Sequence, residues 1–392
     1  MIKNYKYRIY PNKEQAGKLL SAIELIRQLY NTALEQKITA YKQGHKSVSC
    51  YEQINQLPEL KESFPEYKEV HSQTQQDALR RLDKSFKAFF GRIKKGQKAG
   101  FPHFKGRDFY NSICYPQSGF NIRNNRLNLS KTGNIKIKLH RDIKGKIKTL
   151  VISREANQWY ACFSVDIDNK SVKSRQIETA IGIDLGLESF VTLSNGEKIN
   201  NPRYFRKSEL KLAKSQRRLS RKKRGSNNRS KQKAKVIKIH QKIKNQRQDF
   251  SHKLSRNLVN QYDLIAYEDL SIKNMVKNRY LAKSISDVSW NGFCQMLRYK
   301  AAERGGYALP VSPRNTSQEC SNCGEIVEKT LRVRRHKCNN CGFEIDRDEN
   351  SSRNILRLGI ERYRRDYGNS RLGRLFNRTV YEPRSPFPLG HG

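Results

Sequence analysis

The sequence predicts a multidomain α+β fold, on three observations. Its 392 residues are enough for about two or three domains. Apolar residues alternate with polar residues in several short stretches and recur at helical spacing in others, which predicts β-strands and amphipathic helices. No run of about 18 consecutive apolar residues occurs, so we expect no membrane span and a cytoplasmic protein.

The chain is predicted to begin with a strand followed by helices. Residues 2–10 alternate between polar and apolar side chains, which indicates a half-buried strand. Residues 12–99 then contain two long stretches at helical spacing. The second stretch carries an aromatic stripe that includes Phe86, Phe89 and Phe90. We interpret this stripe as core between helices and not as a platform for nucleic-acid bases.

The next part of the chain predicts antiparallel strands. Residues 105–175 contain short alternating segments separated by Gly, Asn and Asp. With the first strand, these segments are predicted to close into a small β-barrel. Segments 1–11 and 100–175 would then form one β domain, and the helices of 12–99 would be an insertion into it.

Two further apolar strands are predicted, and each ends close to an acidic residue. The stretch AIGIDLG at 180–186 places Asp184 near the end of one strand. The stretch LIAYEDL at 264–270 places Glu268 at the end of the other. Carboxylates at the ends of apolar strands are costly unless a charge or a metal ion compensates them, so both acids are candidate site residues.

The segment between these two strands is the most basic part of the chain. Residues 206–247 contain eighteen Lys or Arg and one acid, Glu209, and a break at 224–228 divides them into two predicted helices. The net charge of the whole chain is +43, from 79 Lys and Arg against 36 Asp and Glu. Charge of one sign favours a nucleic-acid partner over a solvated helix face. The candidate phosphate-binding residues are Arg217, Arg218, Arg221, Lys222, Lys223 and Arg224.

Two Cys-x-x-Cys motifs predict a structural metal site. Cys320 and Cys323 are followed, after fourteen intervening residues, by Cys338 and Cys341. Four thiolates in this arrangement suit a closed tetrahedral zinc ion with no open position for catalysis. His336 is either a further candidate ligand or simply part of a basic loop. The four remaining cysteines are scattered, and a disulfide framework is not expected.

A third acid follows the cysteine motifs. Asp348 stands at the start of a predicted helix, and Asp346 competes with it for any role in a site. Three carboxylates from separate segments, Asp184, Glu268 and Asp348, can hold two divalent cations about 3.5–4 Å apart, with Mg²⁺ favoured and Mn²⁺ as a substitute. The alternatives are a turn cap for Asp184, an ordinary helix N-cap for Asp348 and a rim residue for Glu268. Spacing alone does not show that the three converge.

Several motifs resemble those of the TnpB family, the insertion-sequence-encoded RNA-guided nucleases related to type V CRISPR effectors. The most specific are GIDLG at 182–186, AYEDLSIKNM at 266–275, and the run from TSQECSNCG to DRDENSSRNIL at 316–356. Further similar stretches are YRIYPNKEQ at 7–15, FPHFKGR at 101–107 and RQDFSHKLS at 247–255. One departure is Ser351-Ser352, where the family usually has two alanines.

The resemblance implies an RNase H-like RuvC nuclease domain in residues 176–313 and 346–364, interrupted by a zinc ribbon in 314–345. A basic, flexible tail would occupy 365–392. The β domain and its helical insertion would be the wedge and recognition parts. The family's three catalytic acids fall on Asp184, Glu268 and Asp348.

The resemblance also implies a function. The protein would be an RNA-guided, Mg²⁺-dependent DNA endonuclease that cuts both strands at a single site, as a monomer in its complex. Its partners would be a guide RNA from its own locus and double-stranded DNA that carries a short adjacent motif. Two other classes stay open: a transposase of the DDE type, and an RNA-guided DNA-binding regulator that does not cut.

Overall fold

The computed structural model describes residues 2–167, 175–330, 333–369 and 372–373. The chain divides into two compact units, Met1–Asn169 and Lys170–Gly392. Most of the predicted tail, 365–392, lies outside the described residues. None of the helices in the described part of the chain has the length and hydropathy needed to span a bilayer.

The N-terminal unit combines an antiparallel sheet with helices that follow its first strand in the chain. Its strands are β1 (Ile2–Tyr10), β2 (Ser112–Tyr115), β3 (Phe120–Arg123), β4 (Arg126–Leu129), β5 (Gly133–Lys138), β6 (Lys146–Glu155) and β7 (Gln158–Asp166). Its α-helices are α1 (Lys13–Gly44), α2 (Cys50–Asn55), α3 (Leu57–Ser63) and α4 (Ser72–Lys94). Two short 3₁₀ helices are Pro65–Glu69 and Arg107–Phe109.

The seven strands of this unit form one sheet in the order β2-β6-β7-β1-β5-β4-β3. The described edge strands β2 and β3 do not pair with each other, so the sheet is open where the sequence predicted a closed barrel. The first strand lies inside the sheet and buries Tyr5, Tyr7 and Ile9 on one face, as the alternation predicts. The helices and the sheet share a single hydrophobic core.

The interpretation of the aromatic stripe on α4 is wrong at its C-terminal end. The buried residues of this helix end at Leu82, and Phe86 is only partly buried against the core. Beyond that point Phe90 is 54% exposed and Ile93 is 51% exposed. Helical spacing identifies the face of a helix but not how far along its length that face is covered, so the stripe continues past the core.

The C-terminal unit is built on a second sheet of five strands. Its strands are β8 (Ala180–Leu185), β9 (Ser189–Leu193), β10 (Lys198–Asn200), β11 (Leu264–Glu268) and β12 (Tyr307–Val311), and a separate pair is β13 (Arg335–Lys337) and β14 (Glu344–Asp346). Its helices are α5 (Tyr204–Ser220), α6 (Asn227–Gln261), α7 (Ile272–Met275), α8 (Ala282–Val288), α9 (Trp290–Glu303) and α10 (Arg347–Tyr367).

The five-stranded sheet is mixed, in the order β10-β9-β8-β11-β12. The central strands β8, β11 and β12 are parallel, and the other two are antiparallel. The two basic helices α5 and α6 are inserted between β10 and β11, as predicted. Helix α10 follows the cysteine segment and begins at Arg347, one residue before Asp348, where the predicted helix starts.

Helix α10 packs directly on the sheet because two glycines allow a close approach. A Cβ atom on Gly182 of β8 would lie 2.0 Å from the carbonyl oxygen of Ser352. A Cβ atom on Gly359 of the helix would lie 2.2 Å from the Cβ of Ala266 on β11. The small pair Ser351 and Ser352 is buried at this contact. The serines are therefore compatible with the close packing that alanines would give.

We expect Gly182→Ala to destabilise the C-terminal unit by about 1–3 kcal/mol, because the added methyl group forces the helix away from the sheet. Gly292→Ala is the matched control, since its Cβ would lie 3.4 Å from the Oγ of Ser289, an ordinary contact on helix α9. Urea unfolding of the full chain measures both. Equal stability of the two variants would contradict the close-packing argument.

Candidate active site

Two of the predicted acids lie side by side at one edge of the five-stranded sheet. In the parallel pair of β8 and β11, Ile183 is opposite Tyr267. The next residue on each strand is an acid, Asp184 and Glu268. Neighbouring parallel strands end at the same edge of a sheet, so both carboxylates belong to this edge. The third acid, Asp348, is the second residue of helix α10, which packs on the same two strands.

The three carboxylates are close enough to influence one another electrostatically. Burial raises the pKa of Asp184 well above its ordinary value, and the negative charges of Glu268 and Asp348 raise it further. The positive charge of Arg347 and a hydrogen bond with Ser351 oppose this rise. Burial also raises the pKa of Glu268, which is only 9% exposed. Repulsion of this kind is what a divalent cation offsets, so the residues fit a hard-metal site.

Asp348 is paired with arginines in this structure. The Nε and Nη2 atoms of Arg347 lie 3.2 and 3.1 Å from its Oδ1. Arg334 places Nη1 3.7 Å from its Oδ2, and also forms an ion pair of 2.9 Å with Glu188. Among the described residues, the oxygen atoms of the three carboxylates do not all lie within 4.8 Å of one another. The three acids therefore lie near one another, but their oxygen atoms do not form a compact set of metal ligands.

The structure separates the two competing acids, Asp346 and Asp348, by what their oxygens bind. Asp346 is the N-cap of α10, and its Oδ1 accepts from the backbone N–H groups of Asp348 and Glu349, at 3.0 and 3.2 Å. Its Oδ2 lies 2.8 Å from the Nζ of Lys198. Burial would raise the pKa of Asp346, but Lys198 and the backbone N–H of Glu349 lower it below its ordinary value. Asp346 is committed to the cap, which leaves Asp348 to face the other acids.

Thr316 is a site residue that the sequence reasoning missed. Its buried hydroxyl donates to the Oε1 of Glu268 at 2.5 Å. Its carbonyl accepts from the Nδ2 of Asn354 on α10 at 3.0 Å. Thr316 therefore connects the second acid to the helix that carries the third. The available signal was its place at the start of the TSQECSNCG motif, which we read only for its cysteines.

Two asparagines join the helix to the cysteine segment. The Nδ2 atoms of Asn350 and Asn354 both donate to the carbonyl of Glu319, each at 2.7 Å. The backbone N–H of Ser321 donates to the Oδ1 of Asn350 at 2.9 Å. Both asparagines are buried. The residues around the first cysteine are thus fixed to the first turns of α10, close to Asp348.

The four predicted cysteines form one cluster. All four sulfur atoms lie within 4.8 Å of one another. The sulfur atoms of Cys320 and Cys341 are 3.8 Å apart, and those of Cys323 and Cys338 are 3.6 Å apart. Thiolates 2.3 Å from a tetrahedral zinc ion would lie about 3.8 Å from one another, so the cluster fits zinc. His336 is buried beside Lys329 and is not a member of this set.

The basic helices α5 and α6 form a hairpin whose connecting turn is highly charged. All six candidate phosphate-binding residues, from Arg217 to Arg224, have exposed side chains at this end of the hairpin. Gln232 of α6 donates to the carbonyl and the hydroxyl oxygen of Ser215 on α5, both at 2.9 Å, which holds the two helices together. Binding of nucleic acid by these six residues stays a prediction.

Three protein families match parts of this chain. The family described as "Probable transposase" matches residues 162–279. The family described as "Cas12f1-like, TNB domain" matches 290–355, which includes the cysteine cluster and the start of α10. The family described as "Helix-turn-helix domain" matches 1–46, although in this structure those residues contain strand β1 and one continuous helix, α1.

Curated relatives match most of the chain. A "Putative RNA-guided DNA endonuclease" from Streptomyces pristinaespiralis is 37% identical over 365 residues, which cover 91% of this chain and 89% of the relative. A "Putative RNA-guided DNA endonuclease InsQ" from Escherichia coli is 30% identical over 380 residues, 91% of this chain and 92% of the relative. "TnpB-like protein L79" from Acanthamoeba polyphaga mimivirus is 33% identical over 131 residues, 32% of this chain and 25% of the relative.

We expect Thr316→Val to weaken the binding of Mn²⁺ by about 10–100-fold, because Glu268 loses the donor that orients its carboxylate. Thr316→Ser keeps the hydroxyl and should bind the ion as the wild type does. Calorimetric titration of the zinc-loaded protein with Mn²⁺ measures the affinity. Equal affinities for the valine and serine variants would contradict the role of this hydrogen bond.

We expect Asp184→Asn to stabilise the protein by about 0.5–2 kcal/mol when no divalent cation is added. The pKa of Asp184 is raised in the folded state, so its contribution to stability is complete below the ordinary aspartate pKa and is lost as the pH rises through the folded value. The variant should therefore gain over the wild type as the pH rises. Thermal unfolding across a pH series measures this, and a constant difference at every pH would contradict it.

Proposed function

The chain belongs to the TnpB family, and from this premise we propose that it is an RNA-guided DNA endonuclease. The observation that carries the proposal is the group of three carboxylates at one edge of the C-terminal sheet, in which Glu268 and Asp348 raise the pKa of Asp184. Two relatives named as RNA-guided DNA endonucleases match about nine tenths of this chain, which supports the same activity here.

In this proposal, Asp184, Glu268 and Asp348 hold two Mg²⁺ ions, for which Mn²⁺ can substitute. The bound ions supply positive charge that activates water and stabilises the oxygens of the phosphodiester during hydrolysis. Thr316 keeps the carboxylate of Glu268 in position. A single site of this kind, in a RuvC domain with an RNase H-like fold, would cut the two DNA strands in turn.

Arg347 has two roles that follow from its contacts. It neutralises Asp348 while the carboxylates are not shared with a cation, which limits the repulsion within the group. If Asp348 served as a metal ligand, the guanidinium of Arg347 would be available to a phosphate oxygen of the substrate, because arginine matches phosphate geometry. Asp346 remains the helix cap throughout and takes no part in the reaction.

The cysteine cluster is proposed to hold a structural zinc ion. Four thiolates leave no open coordination position, so the ion would not take part in hydrolysis. Its effect would be to order the segment around Cys320, which the hydrogen bonds of Asn350 and Asn354 connect to the start of α10. Zinc binding would in this way stabilise the position of Asp348.

The proposed partners are a guide RNA from the protein's own locus and double-stranded target DNA with a short adjacent motif. The net charge of +43 supports a polyanionic partner, because bound phosphates relieve the repulsion among so many cations. The exposed basic turn of the α5–α6 hairpin would contact the phosphate backbone. Base pairing to the guide would select the target, and we propose that the protein acts as a monomer in the complex.

A second candidate function is supported by the match of residues 162–279 to a family described as "Probable transposase". A transposase of the DDE type could use the same three acids. It would join DNA ends by strand transfer and would need no RNA. A DNA-binding regulator of the same family is disfavoured, because none of the three acids is replaced in this chain.

We expect the protein, purified with RNA co-expressed from its own locus, to cut matching DNA in the presence of Mg²⁺. Asp348→Asn should lower the cleavage rate by about 10³-fold or more, because a proposed metal ligand is lost. Asp346→Asn is the matched control two residues away. Asparagine is also a good N-cap, so this variant should keep most of the activity.

The same assay separates the alternatives. Strand transfer in the absence of RNA would support the transposase and overturn the proposal. Stable binding of matching DNA without any cutting in Mg²⁺ would support the regulator. If Asp346→Asn lost activity and Asp348→Asn kept it, the assignment of the third acid would be wrong while the endonuclease proposal would stand.

A further inference from the structure

The end of helix α4 and the loop that follows it carry an aromatic cluster that reaches the surface. The ring of Phe86 stacks on Phe90 at 6.3 Å and meets Phe101 edge-on at 5.5 Å. The ring of Phe89 contacts Phe90 at 5.1 Å and Phe101 at 5.4 Å. Phe86 and Phe89 are half-buried, whereas Phe90 is 54% exposed and Phe101 is 43% exposed. We call these four residues the aromatic platform.

The loop that contributes Phe101 is fixed in place. The Oδ1 of Asn31 accepts from the backbone N–H of Lys105 at 2.7 Å, and the Nδ2 of Asn31 donates to the carbonyl of Lys105 at 3.0 Å. The Nη1 of Arg27 donates to the same carbonyl at 2.8 Å. Pro102 is buried. Helix α1 thus holds a loop whose aromatic ring remains open to solvent, so burial does not explain the arrangement.

The surroundings of the platform are strongly basic. Residues 84–107 contain eight Lys or Arg and no Asp or Glu. Among the described side chains, no carboxylate lies within 4.0 Å of the ammonium groups of Lys94, Lys95 or Lys98. Five phenylalanines lie within the same 24 residues. Exposed rings among unpaired cations are the combination that binds single-stranded nucleic acid, through base stacking and phosphate contacts.

We propose that the aromatic platform binds an unpaired segment of RNA, with bases stacked on Phe90 and Phe101 and phosphates against the neighbouring lysines. The inference rests on the proposed function only in taking RNA as the resident partner. Paired bases of duplex DNA do not offer their faces, whereas RNA recognition commonly uses unpaired bases that stack on aromatic side chains. A symmetric contact with a second copy would bring the same cations against each other, and this repulsion disfavours it.

The test compares substitutions of one exposed ring with a matched ring elsewhere in the same unit. Phe64 is 51% exposed, almost the same as Phe90, but lies in a stretch that contains Glu59, Glu62 and Glu66. The variants are Phe90→Ala, Phe90→Leu, Phe90→Trp and Phe64→Ala. The probes are the RNA that co-purifies with the protein, labelled after resynthesis, and a labelled 20-nucleotide oligo(dT). Each affinity is measured over a series of salt concentrations.

We expect Phe90→Ala and Phe90→Leu to weaken RNA binding by about tenfold, because stacking needs a ring and not only an apolar side chain. Phe90→Trp should bind as tightly as the wild type or more tightly, and Phe64→Ala should bind as the wild type does. The dependence of log K on log salt should have the same slope for all variants, because no phosphate contact is removed. Oligo(dT) should lose less affinity than the RNA.

Four results would overturn the inference. The first two are an unchanged RNA affinity in Phe90→Ala and an equal RNA affinity of Phe90→Leu and the wild type. The third is a larger loss of affinity for oligo(dT) than for RNA in Phe90→Ala. The fourth is that Phe90→Ala loses self-association, measured by sedimentation, while its RNA binding stays intact. Cleavage is not read in this assay. If RNA-guided cleavage failed while RNA binding depended on Phe90, the proposed function would fall and the inference would stand.

Discussion

The C-terminal unit depends on one close contact, that of helix α10 with strands β8 and β11. Gly182 and Gly359 lack the Cβ atoms that would hold the backbones apart. Because the helix lies this close, its second residue, Asp348, reaches the sheet edge to which Asp184 and Glu268 belong. If helix α10 lay farther from the sheet, Asp348 would be too far from Asp184 and Glu268 to act with them. The candidate site therefore depends first on the close packing of the backbones, which brings the three acidic side chains together.

That packing has an electrostatic cost, and the surrounding residues limit it. Three carboxylates in a partly buried group repel one another, as the raised pKa of Asp184 shows. Arg347 and Arg334 neutralise Asp348, and the Thr316 hydroxyl binds Glu268. Under the proposed function, this repulsion would favour the binding of a cation of high charge. A group with fully satisfied carboxylates would be more stable and would bind such a cation less well.

Much of this fold could be predicted from the sequence, because its signals are local. Alternation in residues 2–10 gave the first strand, and the basic helices, the acid-terminated strands and the four-cysteine cluster follow from spacing and composition. Spacing alone could not separate Asp346 from Asp348, since both stand at a helix start and only the partners of their oxygens differ. Only the resemblance to the TnpB family favoured Asp348. Thr316 was missed because its partner, Glu268, is 48 residues away in the chain.

The errors in the N-terminal unit have a related cause. The closed barrel was inferred from the order of the strands along the chain, whereas closure depends on whether the edge strands pair. The burial of Phe90 was inferred from helical spacing, which does not report where the neighbouring core ends. The individual strands and helix α4 were predicted correctly. The sequence did not show which strands pair at the edges or where the core beside α4 ends.

The position of the cysteine segment in the C-terminal unit bears on how such proteins can change over evolution. The segment leaves the sheet after β12 and returns at the start of α10, and the basic hairpin likewise occupies one connection, between β10 and β11. These two accessory parts, the cysteine segment and the basic hairpin, each occupy a single connection between neighbouring elements of the unit. The length and composition of each part can diverge without altering the register of the strands that carry the acids. The sheet and α10 therefore form a frame on which two separate accessory parts are attached, each at its own connection.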